Sequence, residues 1–341
     1  SHFGPRILPG SGRPCRTGEA SGMTFGTAAA AFDASRYGTL HDAQYDPLGR
    51  RLATASEDKV VRIWSAETQE VLGELRGHRA PAKTVCWAHG RFSSMLASAA
   101  ADGHVIIWRE AKPGDWQVAY QKHVTGSVSE VAFCPPEYGL VLAIGGLDDL
   151  GVLTILSRRE ILASPVQQAG EQWLVKAFPA HDGGVVGLSW APSNSAATLA
   201  TGPAVNRAAT HAARRLVTAG ADGGVSVWHA DAKMDGWNRQ HSLADERHPG
   251  AVRDVAWRPN VGIPSSIIAS CTEDGLVATW AQDMEGQAWR LQSCWRVEGD
   301  ARRLAWSRAG MLLAVSVGDD GCSLFKEGPG AQWELASSAD Q

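Results

Sequence analysis

The sequence has few features that mark a membrane-spanning, disulfide-bonded or nucleic-acid-binding protein. No apolar run approaches the roughly 18 residues that span a bilayer. Six cysteines are scattered without a C-x-x-C pair, which favours buried, reduced thiols in a cytosolic protein over disulfides or a zinc site. The net charge of -4 provides no basic field, so no direct contact with nucleic acid is predicted.

The short motifs of common catalytic sites are also missing. The sequence contains no phosphate-binding G-x-x-x-x-G-K-[ST], no G-x-G-x-x-G after a strand-like run, and no H-E-x-x-H. The acidic pairs Asp148-Asp149 and Asp319-Asp320 fall at turn positions, which favours turn capping over a cation site. We therefore predict no catalytic residue, no cofactor and no metal.

One unit recurs along the chain, and its clearest copy spans 251–280. It contains an apolar run ending at Trp257, a second run, a Glu-Asp-Gly turn, and a third run ending at Trp280, which predicts three short strands. Asp274 lies six residues before Trp280. The same interval recurs in five other places: Asp58 to Trp64, Asp102 to Trp108, Asp149 to Ile155, Asp222 to Trp228 and Asp319 to Phe325.

Six such units, each with a further outer strand, predict an all-β, six-bladed WD-repeat β-propeller, because units of this size bury their faces only by stacking on neighbours. The predicted regions are a disordered N-terminal extension (1–28), the propeller (29–336) and a tail (337–341). The predicted blades cover about 40–76, 77–122, 123–178, 180–243, 248–295 and 297–336. The third is degenerate, with Phe133 and Ile155 at the tryptophan positions and Gly145 at a hydroxyl position.

A histidine, a hydroxyl residue, an aspartate and a tryptophan recur in the same order in three units. The sets are His78, Ser98, Asp102 and Trp108; His181, Thr218, Asp222 and Trp228; His248, Ser270, Asp274 and Trp280. His, Ser and Asp together can form a hydrolase triad, but an active site is needed once, whereas a blade-stabilising network is needed in each blade. We therefore predict a buried structural network.

Tryptophan is used in the same repetitive way. Thirteen of the fourteen tryptophans fall at repeat positions and are predicted to pack between blades. Trp295 has no repeat position, so core packing and a partner anchor are both open for it.

The number of predicted strands exceeds what a closed ring needs. The sixth unit supplies its own outer strand, yet 29–35 is a further candidate before the first blade. This alanine-rich segment is either disordered or the outer strand of a blade whose other strands come from elsewhere. Since unpaired strand edges recruit other strands, we predict an open ring between the first and sixth blades that accepts a partner's strands. The candidate partner-binding residues are Phe32, Asp33, Ala34, His41, Asp42, Ala43, Gln44, Tyr45, Leu304, Ala305, Trp306, Leu312, Leu313, Ala314 and Val315.

Details outside the repeat carry a resemblance to a known family. The segments are LHDAQYDPLGRRLATASEDKVVRIW, WAHGRFSSMLASAAADGHVIIWRE, PPEYGLVLAIGG, VRDVAWRPNVGIPSSIIASCTEDG and LLAVSVGDDGCSLFKEGPGAQWEL. Together they resemble the secretory-thirteen family, the small WD-repeat subunit shared by the outer cage of the COPII vesicle coat and the Y-shaped outer-ring complex of the nuclear pore. The resemblance covers about 29–336 and departs from the family's pattern at the 193–213 loop, the third blade, Phe325 and the N-terminal extension.

This resemblance implies a non-enzymatic scaffold whose open propeller is completed by an insertion blade from an α-solenoid partner. That partner would be the large COPII cage subunit, a nucleoporin, or both. The implied locations are ER exit sites and COPII vesicles, and the nuclear envelope at the nuclear pore complex, with membrane contact only through the coat.

Two other functions remain as alternatives. The sister nuclear-pore propeller of the same complex shares the open design and matches these segments less well. A substrate receptor of a ubiquitin ligase would carry an Asp after the blade-closing Trp, whereas Ser65, Arg109, His229 and Ala281 stand there.

Overall fold

The computed structural model describes residues 37–158, 173–193, 214–230, 236–243, 248, 250–259, 265–284, 286–318 and 321–339. These residues form 24 β-strands and three short 3-10 turns, and none of their helices is long and apolar enough to cross a membrane. The 3-10 turns are Gly90–Phe92, Pro136–Tyr138 and Pro329–Ala331. The surplus strand candidate at 29–35 lies outside the described residues.

The first three blades take four consecutive strands each. Blade 1 contains β1 to β4, which are Leu40–Tyr45, Arg51–Ser56, Val60–Ser65 and Val71–Arg76. Blade 2 contains β5 to β8, which are Ala82–Trp87, Met95–Ala100, His104–Lys112 and Asp115–His123. Blade 3 contains β9 to β12, which are Val128–Phe133, Val141–Gly146, Val152–Arg158 and Trp173–Pro179.

The last three blades repeat this arrangement. Blade 4 contains β13 to β16, which are Val185–Trp190, Arg215–Gly220, Val225–Ala230 and Trp237–Ser242. Blade 5 contains β17 to β20, which are Val252–Trp257, Ser266–Thr272, Leu276–Gln282 and Arg290–Arg296. Blade 6 contains β21 to β24, which are Ala301–Trp306, Leu312–Val317, Gly321–Glu327 and Trp333–Ala339.

Every blade is an antiparallel meander in which sequential strands pair. The first strands of successive blades pack against one another from β1 through β21, so they line the centre of the ring, and the fourth strands lie outside. This architecture confirms the predicted all-β, six-bladed propeller. The last strand extends to Ala339, three residues beyond the predicted end at Ala336.

The apolar core is divided into clusters that lie between blades. Five clusters each combine residues of two successive blades, from blades 1 and 2 through blades 5 and 6. A smaller cluster contains residues of blade 1 alone: Ala43, Leu52 and Trp64, packed with Tyr37, Tyr45 and Val71. Each blade therefore depends on a neighbour for its core. The cluster on the side of blade 1 that faces blade 6 contains no residue of blade 6.

The predicted polar network forms around the hydroxyl residue. In blade 4, Thr218 Oγ1 accepts from Trp228 Nε1 at 2.8 Å and lies 2.8 Å from His181 Nε2. Ser98 and Ser270 make the same pair of contacts in blades 2 and 5, at 2.7 to 3.0 Å. Among the described residues of blade 1, Thr54 makes the tryptophan contact, with Trp64 Nε1 at 2.9 Å from Thr54 Oγ1.

The aspartate completes the network in blade 4 alone. His181 Nδ1 lies 3.2 Å from Asp222 Oδ1, whereas His78 Nδ1 and His248 Nδ1 have no hydrogen-bond partner among the described residues. Gly220 explains the difference, because a Cβ there would lie 2.4 Å from His181 Nδ1 and 2.1 Å from Asp222 Oδ1. Blades 2 and 5 carry Ala100 and Thr272 at the position of Gly220, two residues after the hydroxyl.

The remaining aspartates bind other groups. Asp102 Oδ2 lies 3.2 Å from His104 Nδ1, and Asp274 Oδ2 lies 2.9 Å from Arg296 Nη1. Asp274 Oδ1 also accepts from the Thr272 hydroxyl. The four-residue constellation is therefore continuous only in blade 4.

The register of blade 3 corrects two sequence assignments. Ile144 pairs with Val131 as Ser98 pairs with Val85, so Ile144 and not Gly145 occupies the hydroxyl position. Leu142 pairs with Leu156 as Leu96 pairs with Trp108, so Leu156 and not Ile155 occupies the tryptophan position. The interval between these two positions is two residues longer than in the other blades, because the intervening turn is longer.

Blades 3 and 6 replace the polar network with apolar contacts. Val124, Ile144 and Leu156 take the histidine, hydroxyl and tryptophan positions of blade 3 and belong to one buried cluster. Val315 and Phe325 do the same in blade 6, with Val297 packed against them. Replacing all partners together leaves no buried polar atom unsatisfied at these positions.

Candidate partner interface at the open edge of the ring

Successive blades are joined by side chains on their first strands, each of which is six residues long. The third residue is a carboxylate in blades 1, 3 and 5, half-buried in blade 1 and buried in the other two, and it accepts from the backbone N–H of the fourth residue in the next blade. These bonds are Asp42 to Val85 at 3.0 Å, Glu130 to Leu188 at 3.0 Å and Asp254 to Leu304 at 2.8 Å. A hydrogen bond to a charged acceptor is stronger than a neutral one, so these contacts hold the blades in register.

The fifth residue of the first strand makes a second set of junction bonds. Its side chain accepts from the backbone N–H of the sixth residue in the next blade. These bonds are Trp87 N to Gln44 Oε1 at 2.6 Å, Phe133 N to Cys86 Sγ at 3.3 Å and Trp257 N to Ser189 Oγ at 3.0 Å. Together with the carboxylates, they provide a side-chain acceptor at all five junctions from blade 1 to blade 6.

Indole groups add a third set of bonds. Trp87, Trp190 and Trp306 donate from Nε1 to the carbonyl oxygens of Gln44, Ala132 and Ala256 in the preceding blade, at 2.9 to 3.1 Å. At each of these three junctions, the donor is the tryptophan that is the sixth residue of the first strand of the following blade.

The residues at the corresponding positions between blade 6 and blade 1 do not make these bonds. Blade 6 has Arg303 as its third residue and Ala305 as its fifth, neither of which offers a side-chain acceptor. Blade 1 has Tyr45 where blades 2, 4, 5 and 6 have tryptophan, and its Ala43 N–H donates to its own Asp42 Oδ1 at 2.9 Å. An exposed bond from Arg308 Nη2 to the Pro47 carbonyl at 3.3 Å connects the two blades. The described ring is therefore not closed by junction bonds at this point.

Among the described residues, no blade covers the side of blade 6 that faces blade 1, here called the gap face. Strand alternation places Arg303, Ala305, Leu312, Ala314, Cys322 and Leu324 on it. Leu312 is 37% exposed, and Cys322 and Leu324 are half-buried. Their counterparts Ile267, Val277 and Thr279 on blade 5, which blade 6 covers, are at most 3% exposed. The gap face thus has the apolar character of a blade interface without the covering blade.

Exposed apolar side chains also flank the opening. Leu48 is 72% exposed in the loop after β1, and Met311 is 65% exposed in the loop before β22. Both loops lie beside the Arg308 to Pro47 hydrogen bond. The apolar surface therefore continues from the gap face onto one edge of the opening.

Three of the seven predicted residues on blade 6 face the gap and four do not. Ala305, Leu312 and Ala314 lie on the gap face. Leu304, Trp306, Leu313 and Val315 point the other way and belong to the core cluster shared with blade 5. Arg303, Cys322 and Leu324 were missed, although the alternation of a β-strand is the signal that finds them.

The predicted residues on blade 1 divide in the same way. Asp42 and Gln44 bond to blade 2 and so belong to a closed junction. Ala43 and Tyr45 lie in the cluster of blade 1 that faces blade 6, and His41 Nε2 contacts Glu57 Oε2 at 2.5 Å. Phe32, Asp33 and Ala34 lie outside the described residues.

Trp295 packs between blades 5 and 6. Its ring is 5.2 Å from Phe325 and stacks on Trp333 at 5.9 Å. This position agrees with the core interpretation of that residue.

Within the described ranges, no group of three or more His, Cys, Asp or Glu side chains could hold a metal ion. Asp148 Oδ1 accepts from Val152 N at 3.1 Å and so caps its turn, while Asp319 and Asp320 are outside the described residues. Burial raises the pKa of the Cys322 thiol, which keeps it protonated and weakly nucleophilic at neutral pH.

Comparison with known proteins places this architecture in a family. The family model "WD domain, G-beta repeat" matches residues 32–65, 69–109 and 172–229. A solved structure titled "Crystal Structure of Mitotic Checkpoint Complex" aligns with a TM-score of 0.64 and 18% identity over 88% of this chain and 77% of that chain, which supports the fold alone.

Curated relatives are similar over most of the chain. "Protein SEC13 homolog" of Drosophila melanogaster is 36% identical over 301 residues, covering 86% of this chain and 79% of the relative. "Protein transport protein SEC13" of Cryptococcus neoformans is 35% identical over 335 residues, covering 87% and 93%. "Protein transport protein sec13" of Emericella nidulans is 33% identical over 314 residues, covering 89% and 95%. Proteins of this kind are structural scaffolds and not enzymes. On this similarity and on its six WD-repeat blades, the chain belongs to the SEC13 family.

Proposed function

We propose that the opening between blades 6 and 1 receives a β-insertion blade from an α-solenoid partner, and that the chain acts as a scaffold in a membrane-curving coat. The observation that carries the proposal is the gap face, which is built like a blade interface but has no covering blade. Burying such a face stabilises the complex by about 25 cal/mol for each Å² of apolar surface removed from water.

The partner class follows from the family. Relatives are named as protein transport proteins, which favours the outer cage of the ER-to-Golgi COPII coat, with the large α-solenoid subunit of that cage as partner. The outer ring of the nuclear pore, with a nucleoporin as partner, is the second assembly that this architecture suits. Imaging of a tagged chain would distinguish the two assemblies, since the first predicts ER exit sites and vesicles and the second predicts the nuclear envelope.

Matched substitutions test the binding surface. Leu312→Glu places a charge on the gap face, where the side chain is 37% exposed, and Val175→Glu places one on the outer strand of blade 3, where the side chain is 38% exposed. Each variant is co-expressed with the α-solenoid subunit and purified through a tag on that subunit. We expect Leu312→Glu to lose the complex and Val175→Glu to retain it, with both variants folded by circular dichroism. Retention of the complex by both variants, or failure of the unmodified chain to co-purify, would contradict the proposal.

A further inference from the structure

The backbone N–H of the sixth residue of each first strand points away from its own blade. In blade 1, the residue after β1 bonds to the second strand, from Asp46 N to Arg51 O at 2.8 Å. Because bonded and non-bonded pairs alternate along an antiparallel ladder, the preceding pair, Tyr45 with Leu52, leaves the N–H of Tyr45 outside the ladder. The same bond occurs in the other five blades at 2.8 to 3.0 Å: Ala88 N to Met95 O, Cys134 N to Val141 O, Ala191 N to Arg215 O, Arg258 N to Ile267 O and Ser307 N to Leu312 O.

The junctions between blades are of two kinds, and the two kinds alternate around the ring. The junctions from blade 1 to 2, from 3 to 4 and from 5 to 6 each have the carboxylate bond and the indole bond described above. The junctions from blade 2 to 3 and from 4 to 5 instead use the sixth N–H, which donates to Cys86 Sγ and to Ser189 Oγ. The first junction has this bond in addition, to Gln44 Oε1. In this order, the junction that enters blade 1 belongs to the kind in which the sixth N–H, that of Tyr45, donates to a side chain.

The fourth residue of β1 does not call for an acceptor from outside its blade. Ala43 N donates to the Oδ1 atom of its own Asp42 at 2.9 Å. Blade 5 has the same internal bond, from Val255 N to Asp254 Oδ1 at 2.8 Å, and it too follows an even-numbered blade. The N–H of Tyr45 is therefore the backbone donor of β1 that a preceding blade would satisfy.

Blade 6 does not provide the acceptor for this donor. It has Ala305 at the position where blades 2 and 4 have Cys86 and Ser189, and an alanine side chain accepts no hydrogen bond. Among the residues that the structure describes, no side chain accepts from Tyr45 N. Tyr45 is half-buried beside the opening, so a blade seated against β1 would cover this donor.

We infer that the innermost strand of the partner's insertion blade carries a neutral side-chain acceptor for the N–H of Tyr45: a serine, threonine, cysteine, asparagine or glutamine. This inference rests on the proposed function and specifies the chemistry of its partner. The acceptor is neutral because Gln44, Cys86 and Ser189, which accept the sixth N–H elsewhere in the ring, are all neutral, whereas the carboxylates serve the fourth N–H. A partner strand without such a residue would leave a covered donor unsatisfied, which disfavours binding.

Amide hydrogen exchange resolved to single residues tests whether the N–H of Tyr45 becomes bonded. Its exchange rate is measured in the free chain and in the purified complex with the α-solenoid subunit. We expect exchange to slow by about tenfold or more in the complex, because a bonded amide exchanges only when its bond opens. The N–H of Trp257 is the control for general stabilisation, since it is bonded to Ser189 Oγ without the partner, and it should slow much less.

Two negative results have different meanings in this experiment. An exchange rate at Tyr45 that is the same in the free chain and in a verified complex would overturn the inference and leave the proposed function standing. Absence of any complex with the unmodified chain would reject the proposed function, and the inference with it.

Photocrosslinking followed by substitution in the partner shows whether the acceptor is a side chain. The photoreactive residue p-benzoylphenylalanine replaces Tyr45, and mass spectrometry identifies the partner strand to which it is joined. Each Ser, Thr, Cys, Asn and Gln of that strand is then changed to Ala, and exchange at Tyr45 is measured in the complex with the otherwise unmodified chain. We expect one of these alanine variants to form the complex and to return the exchange rate at Tyr45 to that of the free chain. A strand that has none of these residues, or slow exchange at Tyr45 in every alanine variant, would overturn the inference, because a backbone carbonyl would then be the acceptor.

Discussion

At the residue scale, blades fill the histidine, hydroxyl and tryptophan positions with either a polar or an apolar set of side chains. Thr218 joins His181 and Trp228 through a single hydroxyl, whereas Ile144 and Leu156 meet as apolar side chains in blade 3. A hydroxyl left without its partners is destabilising by about 1 to 3 kcal/mol, so mixed sets are unfavourable. The histidine, hydroxyl and tryptophan positions are therefore coupled in blades 2 to 6, and each of these blades uses one complete set.

The polar network makes the stability of the protein depend on pH, because it contains a buried histidine. Burial lowers the pKa of His78 from 6.5 to about 4, and it lowers those of His181 and His248 as well. Below pH 6.5 the unfolded chain therefore binds protons that the folded chain does not, and this lowers stability as pH falls from 6.5 toward 4. The contribution of His78 is about 3 kcal/mol over the whole window. We expect the melting temperature to fall steadily from pH 7 to pH 5.

A blade swap is the control for this dependence. The triple variant His78→Val, Ser98→Ile and Trp108→Leu gives blade 2 the apolar set of blade 3. Its melting temperature should fall less steeply with pH, because one of the three buried histidines is gone. An identical slope in both proteins would show that His78 is not a source of the pH dependence.

At the element scale, the carboxylate junctions are expected to determine how firmly neighbouring blades are attached. Asp254 is 2% exposed and accepts from its own Val255 N–H and from Leu304 N of blade 6, both at 2.8 Å. Asp254→Leu leaves these donors without their acceptor, which we expect to reduce the unfolding free energy by about 1 to 3 kcal/mol. Hydrogen exchange at β21 should also become faster, because blade 6 has no second neighbouring blade. Denaturant titration and exchange mass spectrometry measure the two effects.

An exposed aspartate provides the matched control. The side chain of Asp300 is 53% exposed and pairs with Arg302 at 3.3 Å, so Asp300→Asn should change stability by less than about 0.5 kcal/mol. Equal losses from Asp254→Leu and Asp300→Asn would show that the junction carboxylate has no special role.

Strands could be predicted from the sequence, but the blade that each side chain faces could not. Apolar runs ending at Trp257 and Trp280 predicted two strands, and the structure confirms both, although the second continues to Gln282. The candidate site was predicted as continuous runs, whereas successive residues such as Ala314 and Val315 face opposite blades. In blade 3 the six-residue interval from Asp149 to Ile155 was coincidental, because pairing register depends on turn length and not on composition.

At the scale of the whole molecule, openness is a property of one junction out of six. The prediction of an open ring came from counting strands and from the family resemblance. Arg303, Ala305 and Tyr45 give the physical reason, because none provides the side-chain acceptor found at the other five junctions or the indole donor found at three of them. This could not be predicted in advance, since the junction bonds were recognisable only after the first strands had been aligned in space.

The rate at which Cys322 is labelled can show whether a partner occupies the junction between blades 6 and 1. It is half-buried on the gap face, while Cys294 is exposed on the outer strand of blade 5. Because burial raises the pKa of the Cys322 thiol, labelling should be slow at pH 7 and accelerate as pH rises. In complex with the α-solenoid subunit, we expect labelling of Cys322 at pH 8.5 to slow by about tenfold or more, since an inserted strand would bury it, and labelling of Cys294 to remain unchanged. Equal labelling of Cys322 in the free chain and in a verified complex would place the partner elsewhere on the propeller, because a blade seated on the gap face cannot leave this thiol accessible.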